Sequence, residues 1–299
     1  MTLPVPHLSE HPLTATLLAT ASILYTDLDG TLLARGGSVL ADGEGTPSTA
    51  VAESIVELAR ADLTVVPVSG RGRIQLIEVS RLLGWTDFIA EAGAITVRCA
   101  GPRAETHYDH GEWPEAPLEQ NLSPFEIIEQ AGAYEALVTA FPGRVEYHAP
   151  WHTDREVTHL LRGCLDCEAA QAVLDSLKPP IDIVDNGIVR NPGALHCGDH
   201  VAPHAYHLVP RGVSKTRAIT LDLVARGLTA VDAIAVGDSA TDIEMADAVG
   251  LMVLVGNAFE STGVLTALDA SPRANIVRVD GVRTDGWSQL AQVWLDARG

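Results

Sequence analysis

A four-residue apolar run, Ile23-Leu24-Tyr25-Thr26, ends abruptly at Asp27-Leu28-Asp29-Gly30-Thr31. A short apolar run closed by a turn reads as a strand buried on both faces, the kind found in parallel sheets covered by helices. The pattern repeats. Leu63 to Val68 is a second such run and stops at Ser69-Gly70-Arg71, with a helix from Ile74 to Leu83 after it and one capped by Ser48 before it. Near the end, Tyr206 to Val209 reads as a strand and Ser214 to Arg226 as a helix closed by Gly227. Ala233 to Val236 is a strand running into Gly237-Asp238, and Asp242 to Ala248, Leu251 to Val255 and Trp287 to Ala297 continue the alternation. Strand-helix alternation of this kind predicts an α/β fold with a Rossmann-like, doubly wound parallel sheet. Asp27, Ser69 and Asp238 then collect at carboxyl ends of strands, where such sheets place their sites.

The middle of the chain has a different texture. Pro102, Pro114, Pro117 and Pro124 mark loops, and strand-like stretches follow at Arg144 to His148 and Glu156 to Leu161. A helix spans Glu168 to Leu177, and Ile181 to Arg190 resembles a hairpin turning at Asp185-Asn186-Gly187. The expected organisation is therefore a core of residues 1–99 and 206–299 with an inserted α+β unit, a cap, at 100–205.

Charge narrows the partners. A net charge of −19 over 299 residues repels a nucleic-acid backbone, and no basic run offsets it. No apolar run reaches the roughly 20 residues a membrane span needs. Thr14 to Leu24 lacks the basic flank of a secretion signal. We expect a cytoplasmic protein whose Cys99, Cys164, Cys167 and Cys197 stay reduced. An acidic protein that handles phosphate must supply positive charge locally, and the only lysines are Lys178 and Lys215.

Asp27 and Asp29 supply what a phosphate ester demands: a nucleophile for in-line attack and, two residues on, an acid/base for the leaving alcohol and the incoming water. Ser69, with the backbone of Gly70, can hold phosphate oxygens, and Arg71 can reach a substrate anion. Lys215, in the first turn of a helix, can neutralise nucleophile and phosphate together. Gly237-Asp238-Ser239-Ala240-Thr241-Asp242 brings two carboxylates to one loop, a hard-oxygen set suited to magnesium. Each element alone is also ordinary turn or helix-start chemistry; their order is what carries weight.

With those four motifs in sequence, the chain resembles the haloacid dehalogenase superfamily of phosphatases. The resemblance implies Asp27 as nucleophile and metal ligand, Asp29 as acid/base whose carbonyl also ligates the metal, and Ser69 and Lys215 as catalytic partners. Asp238 and Asp242 are then the magnesium carboxylates. The insertion between Ser69 and Lys215 resembles the branch of Cof-type, sucrose-phosphate and mannosyl-3-phosphoglycerate phosphatases and of phosphomannomutase. Gly256-Asn257-Ala258 is similar to that branch's late Asn-Ala turn and places Asn257 with Gly70 and Arg71 as substrate-binding. Glu91, Ala92 and Thr241 depart from the branch pattern. The implied activity is magnesium-dependent hydrolysis of a small phosphate ester, a sugar or polyol phosphate. A phosphomutase using the same aspartyl-phosphate is the alternative, and a silent sugar-phosphate binder a more distant one.

Weaker features remain. Cys164-x-x-Cys167 with His196, Cys197 and His200 has zinc-like spacing if its halves meet. His204 and His207 extend that histidine cluster. Arg162, Asp185, Asn186 and Arg190 could read a polyol, and Trp151 could stack on a sugar face.

Overall fold

The computed structural model describes residues 5–99, 104–115, 121–189, 193–198, 202–271 and 273–298. These fall into two compact units. The first comprises residues 1–69, 80–88 and 215–299; the second comprises 70–79 and 89–214.

The first unit is built on a parallel sheet of β1 (Ile23–Thr26), β2 (Thr64–Pro67), β10 (Ala233–Gly237), β11 (Leu251–Leu254) and β12 (Ile276–Arg278), in the spatial order β12-β11-β10-β1-β2. β1 is paired with β10 on one side and β2 on the other, so Thr26 lies opposite Val236 and Pro67. All four of its residues are buried, as the unbroken apolar run requires. The helix Ala50–Arg60 presents Val51, Ile55 and Leu58 inward, and the helix Thr284–Asp296 presents Trp287, Leu290, Ala291 and Trp294. Both indoles find acceptors: Trp287 Nε1 donates to Thr26 Oγ1 (3.1 Å) and Trp294 Nε1 to the Leu18 carbonyl (3.0 Å), which removes the penalty of burying an N–H.

The helix Lys215–Arg226 buries Lys215, Ala218, Ile219, Asp222 and Leu223, the spacing of a single helical face. Two of these five are charged. Asp222 accepts from Tyr25 Oη (2.8 Å) and from Arg226 Nε (2.7 Å), and Arg226 Nη2 reaches Asp87 (2.5 Å). A buried carboxylate is tolerated there because it is paired and hydrogen-bonded.

Between β2 and β10 lie a three-stranded sheet, β3 (Phe88–Ala90), β4 (Ile95–Arg98) and β5 (Glu105–Tyr108), and a four-stranded sheet of β6 (Val145–Tyr147), β7 (His159–Gly163), β8 (Ile181–Ile188) and β9 (His204–Pro210). The second unit's core joins Ile127, Ile128 and Leu137 to Leu161, Leu174, Ile181, Tyr206 and Leu208.

Three expectations change. The strand read at Tyr206 to Val209 is β9, and it lies in the antiparallel sheet between β7 and β8 instead of in the parallel core. Six of its seven residues are buried, so its apolar run matches that of a parallel core strand, and periodicity cannot separate the two. Ile181 to Ile188 is one strand and not a hairpin. Its pairing with β9 shifts between Asp185 and Ile188, and Gly187 at φ 91° makes a bulge where the sequence suggested a turn. Arg190 lies outside the described residues. Finally, Cys164 and Cys197 form a disulfide, with Cα atoms 5.4 Å apart, while Cys99 and Cys167 take no part in one. This corrects the expectation of reduced thiols. It also consumes two thiolates of the zinc reading, so that set does not assemble; His200 lies outside the described residues.

Replacing Tyr25 with Phe removes a hydrogen bond to a buried carboxylate. We expect a loss of about 1.5–3 kcal/mol in urea unfolding. Alkylation of the denatured, unreduced protein with iodoacetamide should label two cysteines, and four after reduction, as counted by intact mass; four labels without reduction would remove the disulfide.

Candidate active site

Asp27 follows β1 directly, and its N–H continues the ladder to the Val236 carbonyl (3.0 Å). Ser69, 2% exposed, ends β2 beside it, and Asp238 ends β10 on the other side. Three neighbouring strands thus deliver three polar residues to one edge of the sheet, as the sequence predicts.

The backbone there is shaped by two glycines. A Cβ on Gly30, at φ 94°, would stand 2.3 Å from Asp238 Oδ2, and one on Gly237 would stand 2.4 Å from Asp242 Cβ. No side chain fits at either position, so both carboxylate loops can close up only around glycine.

Lys215 is 5% exposed and donates from Nζ to Asp27 Oδ1 (2.8 Å) and Asp242 Oδ1 (2.7 Å). Asp242 is held in turn. It is the third residue of the helix turn Ala240–Ile243 and forms a capping box with Ser239, its Oδ2 accepting from Ser239 Oγ (2.6 Å), Ser239 N (3.0 Å) and Asp238 N (3.2 Å). Asp238 accepts from Thr31 Oγ1 (3.3 Å) and from Asn257 Nδ2 (2.8 Å), which also donates to the Gly30 carbonyl (3.0 Å). Asn257 Oδ1 accepts from Arg283 N (2.7 Å).

The electrostatics follow from three acids around one lysine. Burial pushes the Asp27 carboxyl up to about 7; Lys215 works against that, and the charges of Asp242 and Asp29 add to it. Asp238 is raised well above the usual carboxylate range, first by burial and then by Asp27 and Asp242. Burial pulls the Lys215 ammonium down, but Asp242 and Asp27 overcome it and hold the lysine above its ordinary value. Asp29 is exposed.

Negative charge is therefore in excess. Asp27, Asp238 and Asp242 each offer an oxygen within 4.8 Å of the others, a group that could hold a metal ion. The donors are all hard oxygens and the charge imbalance is what a divalent cation relieves, so the residues fit magnesium.

Residues 198–265 match the family described as haloacid dehalogenase-like hydrolase. The chain is 40% identical over 83 residues to a phosphoglycolate phosphatase of Halobacterium salinarum, covering 28% of this chain and 35% of that protein. It is 26% identical over 260 residues to the HMP-PP phosphatase of Escherichia fergusonii, covering 80% of this chain and 85% of that one. The chain spans about a third of the length of the phosphoglycolate phosphatases it matches first. Its fold is shared with the sucrose-phosphatase of Synechocystis sp. PCC6803, solved with sucrose and phosphate, at TM-score 0.59 and 13% identity over 91% of this chain and 97% of that one. Over residues 198–265 the chain is therefore similar to haloacid dehalogenase-like hydrolases.

The haloacid dehalogenase-like segment 198–265 includes Lys215, Asp238, Asp242 and Asn257. Within the first unit, Asp27, Lys215, Asp238, Asp242 and Asn257 form one connected network. Gly70 and Arg71 fall in the second unit. The Gly70 carbonyl accepts from Arg155 Nη2 (2.9 Å), and a Cβ there would stand 2.6 Å from His207 Nε2. The Arg71 carbonyl accepts from Glu91 N (2.9 Å). Glu91, one of the departures from the branch pattern, is fully buried and accepts from the N–H groups of Glu156, Val157 and Thr158. His204 Nδ1 pairs with Asp185 (2.7 Å), which raises the imidazole above its ordinary value.

Sequence reasoning assigned no part to Thr31, Ser239 or Arg283. The spacing of Ser239 and Asp242 carries a capping-box signal. Arg283 has none, because its contact with Asn257 is made by the backbone.

Lys215→Met would leave Asp27 and Asp242 buried without their cation. Urea unfolding of the metal-free protein should show a loss of about 3–5 kcal/mol, partly restored by added magnesium.

Proposed function

We propose that this protein is a magnesium-dependent phosphomonoesterase acting on a small phosphorylated metabolite, a sugar or polyol phosphate, through an aspartyl-phosphate at Asp27. The observation that carries this reading is the buried contact of Lys215 with Asp27, at the end of β1 and within carboxylate reach of Asp238.

A carboxylate at that position attacks phosphorus while the ester P–O bond breaks. Asp29, two residues on and exposed, protonates the departing alkoxide. It then takes a proton from water, whose oxygen attacks the phosphoryl group; inorganic phosphate leaves and the Asp27 carboxylate returns. Lys215 draws charge from Asp27 and from the phosphoryl oxygens, stabilisation aimed at charge that grows in the transition state. Ser69 and the Gly70 N–H are assigned to phosphate oxygens. Asp27, Asp238, Asp242 and the Asp29 carbonyl would hold the metal, which when bound neutralises charge on the transferring phosphoryl group.

Leaving-group selection is assigned to the segment between Ser69 and Lys215, centred on the proposed cap at 100–205, because the chain inserts it between the phosphate-binding and lysine motifs. The likeness of fold to a sucrose-phosphatase and of sequence to an HMP-PP phosphatase supports a small organic phosphate as substrate.

Phosphate release should be measured over a panel of sugar phosphates, phosphoglycolate and pyrimidine phosphates, with magnesium and with EDTA. Asp27→Asn should abolish release, and Asp29→Asn should lower kcat by about 10²–10⁴. Release by Asp27→Asn at the parental rate would sink the mechanism; isomerised sugar phosphate without free phosphate would make the protein a mutase.

A further inference from the structure

We propose that Asn257 is a positioning residue for the metal carboxylate Asp238, and that the backbone of Arg283 dictates which way its amide faces. The proposal rests on the metal-site reading above. It replaces the substrate-binding role that resemblance implies for Asn257.

The hydrogen-bond inventory of a primary amide is two donors on nitrogen and an accepting oxygen. At Asn257 both donors are used. Nδ2 faces the Gly30 carbonyl at 3.0 Å and Asp238 Oδ2 at 2.8 Å, while Oδ1 accepts from Arg283 N at 2.7 Å. Rotating the amide by half a turn would set its oxygen against a carbonyl and a carboxylate and its NH₂ against an N–H. Only one orientation satisfies all three contacts, and it leaves no amide N–H for a substrate. Asn257 is 9% exposed.

The contacts join loops that follow separate strands. Gly30 belongs to the loop after β1 that carries Asp27 and Asp29, Asp238 to the loop after β10, and Asn257 to the 3₁₀ turn Gly256–Glu260 after β11. Arg283 precedes the last helix of the unit. One amide thus fixes the separation between the carboxylate of one loop and the backbone of another, at the place where Gly30 permits Asp238 its close approach. Neighbours that orient ligating carboxylates contribute to metal affinity without touching the ion.

Arg283 gives the second observation. Its φ of 50° and ψ of −125° lie in a region that side-chain-bearing residues rarely occupy, and the conformation is held from both sides. Its N–H donates to Asn257, and its guanidinium Nη1 donates to the Gly43 carbonyl at 3.1 Å. Strain of this kind persists where surrounding contacts over-determine it, which is common at functional sites. Here it aims the N–H at the amide oxygen.

The test is titration of the metal-free protein with magnesium by calorimetry, with melting temperature in EDTA as the check on folding. Asn257→Ala should weaken magnesium binding by about 10–100-fold while substrate KM at saturating magnesium stays within about twofold of the parent. Asn257→Ser, which keeps a polar group too short to bridge Gly30 and Asp238, should show the same loss and serves if the alanine variant does not fold. Unchanged magnesium affinity in a folded variant, or a raised KM at saturating magnesium, would overturn the positioning role and leave the metal-site reading standing. A parent protein that binds no magnesium would overturn both.

Discussion

The ammonium of Lys215 between the carboxylates of Asp27 and Asp242 is the contact on which the first unit turns. Burying such a group costs several kcal/mol unless charge and hydrogen bonds repay the lost hydration, so the helix that carries it must dock with its first turn at the ends of β1 and β10. A second pairing on the same helix fixes the docking. Lys215 and Asp222 are seven residues apart, two helical turns, and share a face. Tyr25 in β1 and Asp27 just past its end are two residues apart on extended backbone and share a side of the sheet. Lysine meets Asp27 and Asp222 meets Tyr25, so two polar contacts set the slide of the helix along the strand.

This arrangement concentrates charge that the protein alone does not balance. Asp27, Asp238 and Asp242 converge around Lys215, and burial with mutual repulsion raises Asp27 and Asp238. A site of this type is held together by its surroundings: Ser239 and two backbone N–H groups fix Asp242, while Thr31 and Asn257 fix Asp238. Gly30 and Gly237 let the loops approach to distances that any side chain would forbid.

The second unit is organised differently. Its four-stranded sheet packs Leu161, Tyr206 and Leu208 against helices carrying Ile127, Leu137 and Leu174. The loop that follows β8 is tied back by the disulfide from Cys197 to Cys164 and by His196 N donating to the Gly143 carbonyl (2.8 Å). Glu91 and Arg155 are buried there with backbone groups as partners: three N–H groups for Glu91, the carbonyls of Gly70 and Trp151 for Arg155.

The sequence by itself determined the parallel core, because strands covered on both faces must be continuously apolar and end where polar residues begin. It placed Asp27, Ser69 and Asp238 at those strand ends for the same reason, and Lys215 at the start of a helix. It could not place β9, whose burial between β7 and β8 imitates a core strand, nor see that Asp185-Asn186-Gly187 is a bulge, since a positive φ at glycine serves either. The pairing of Cys164 with Cys197 and the aim of Asn257 at Asp238 were decided by the tertiary structure alone. Both join residues from different elements, and what they touch depends on how loops far apart in the chain are brought together, which local spacing does not record.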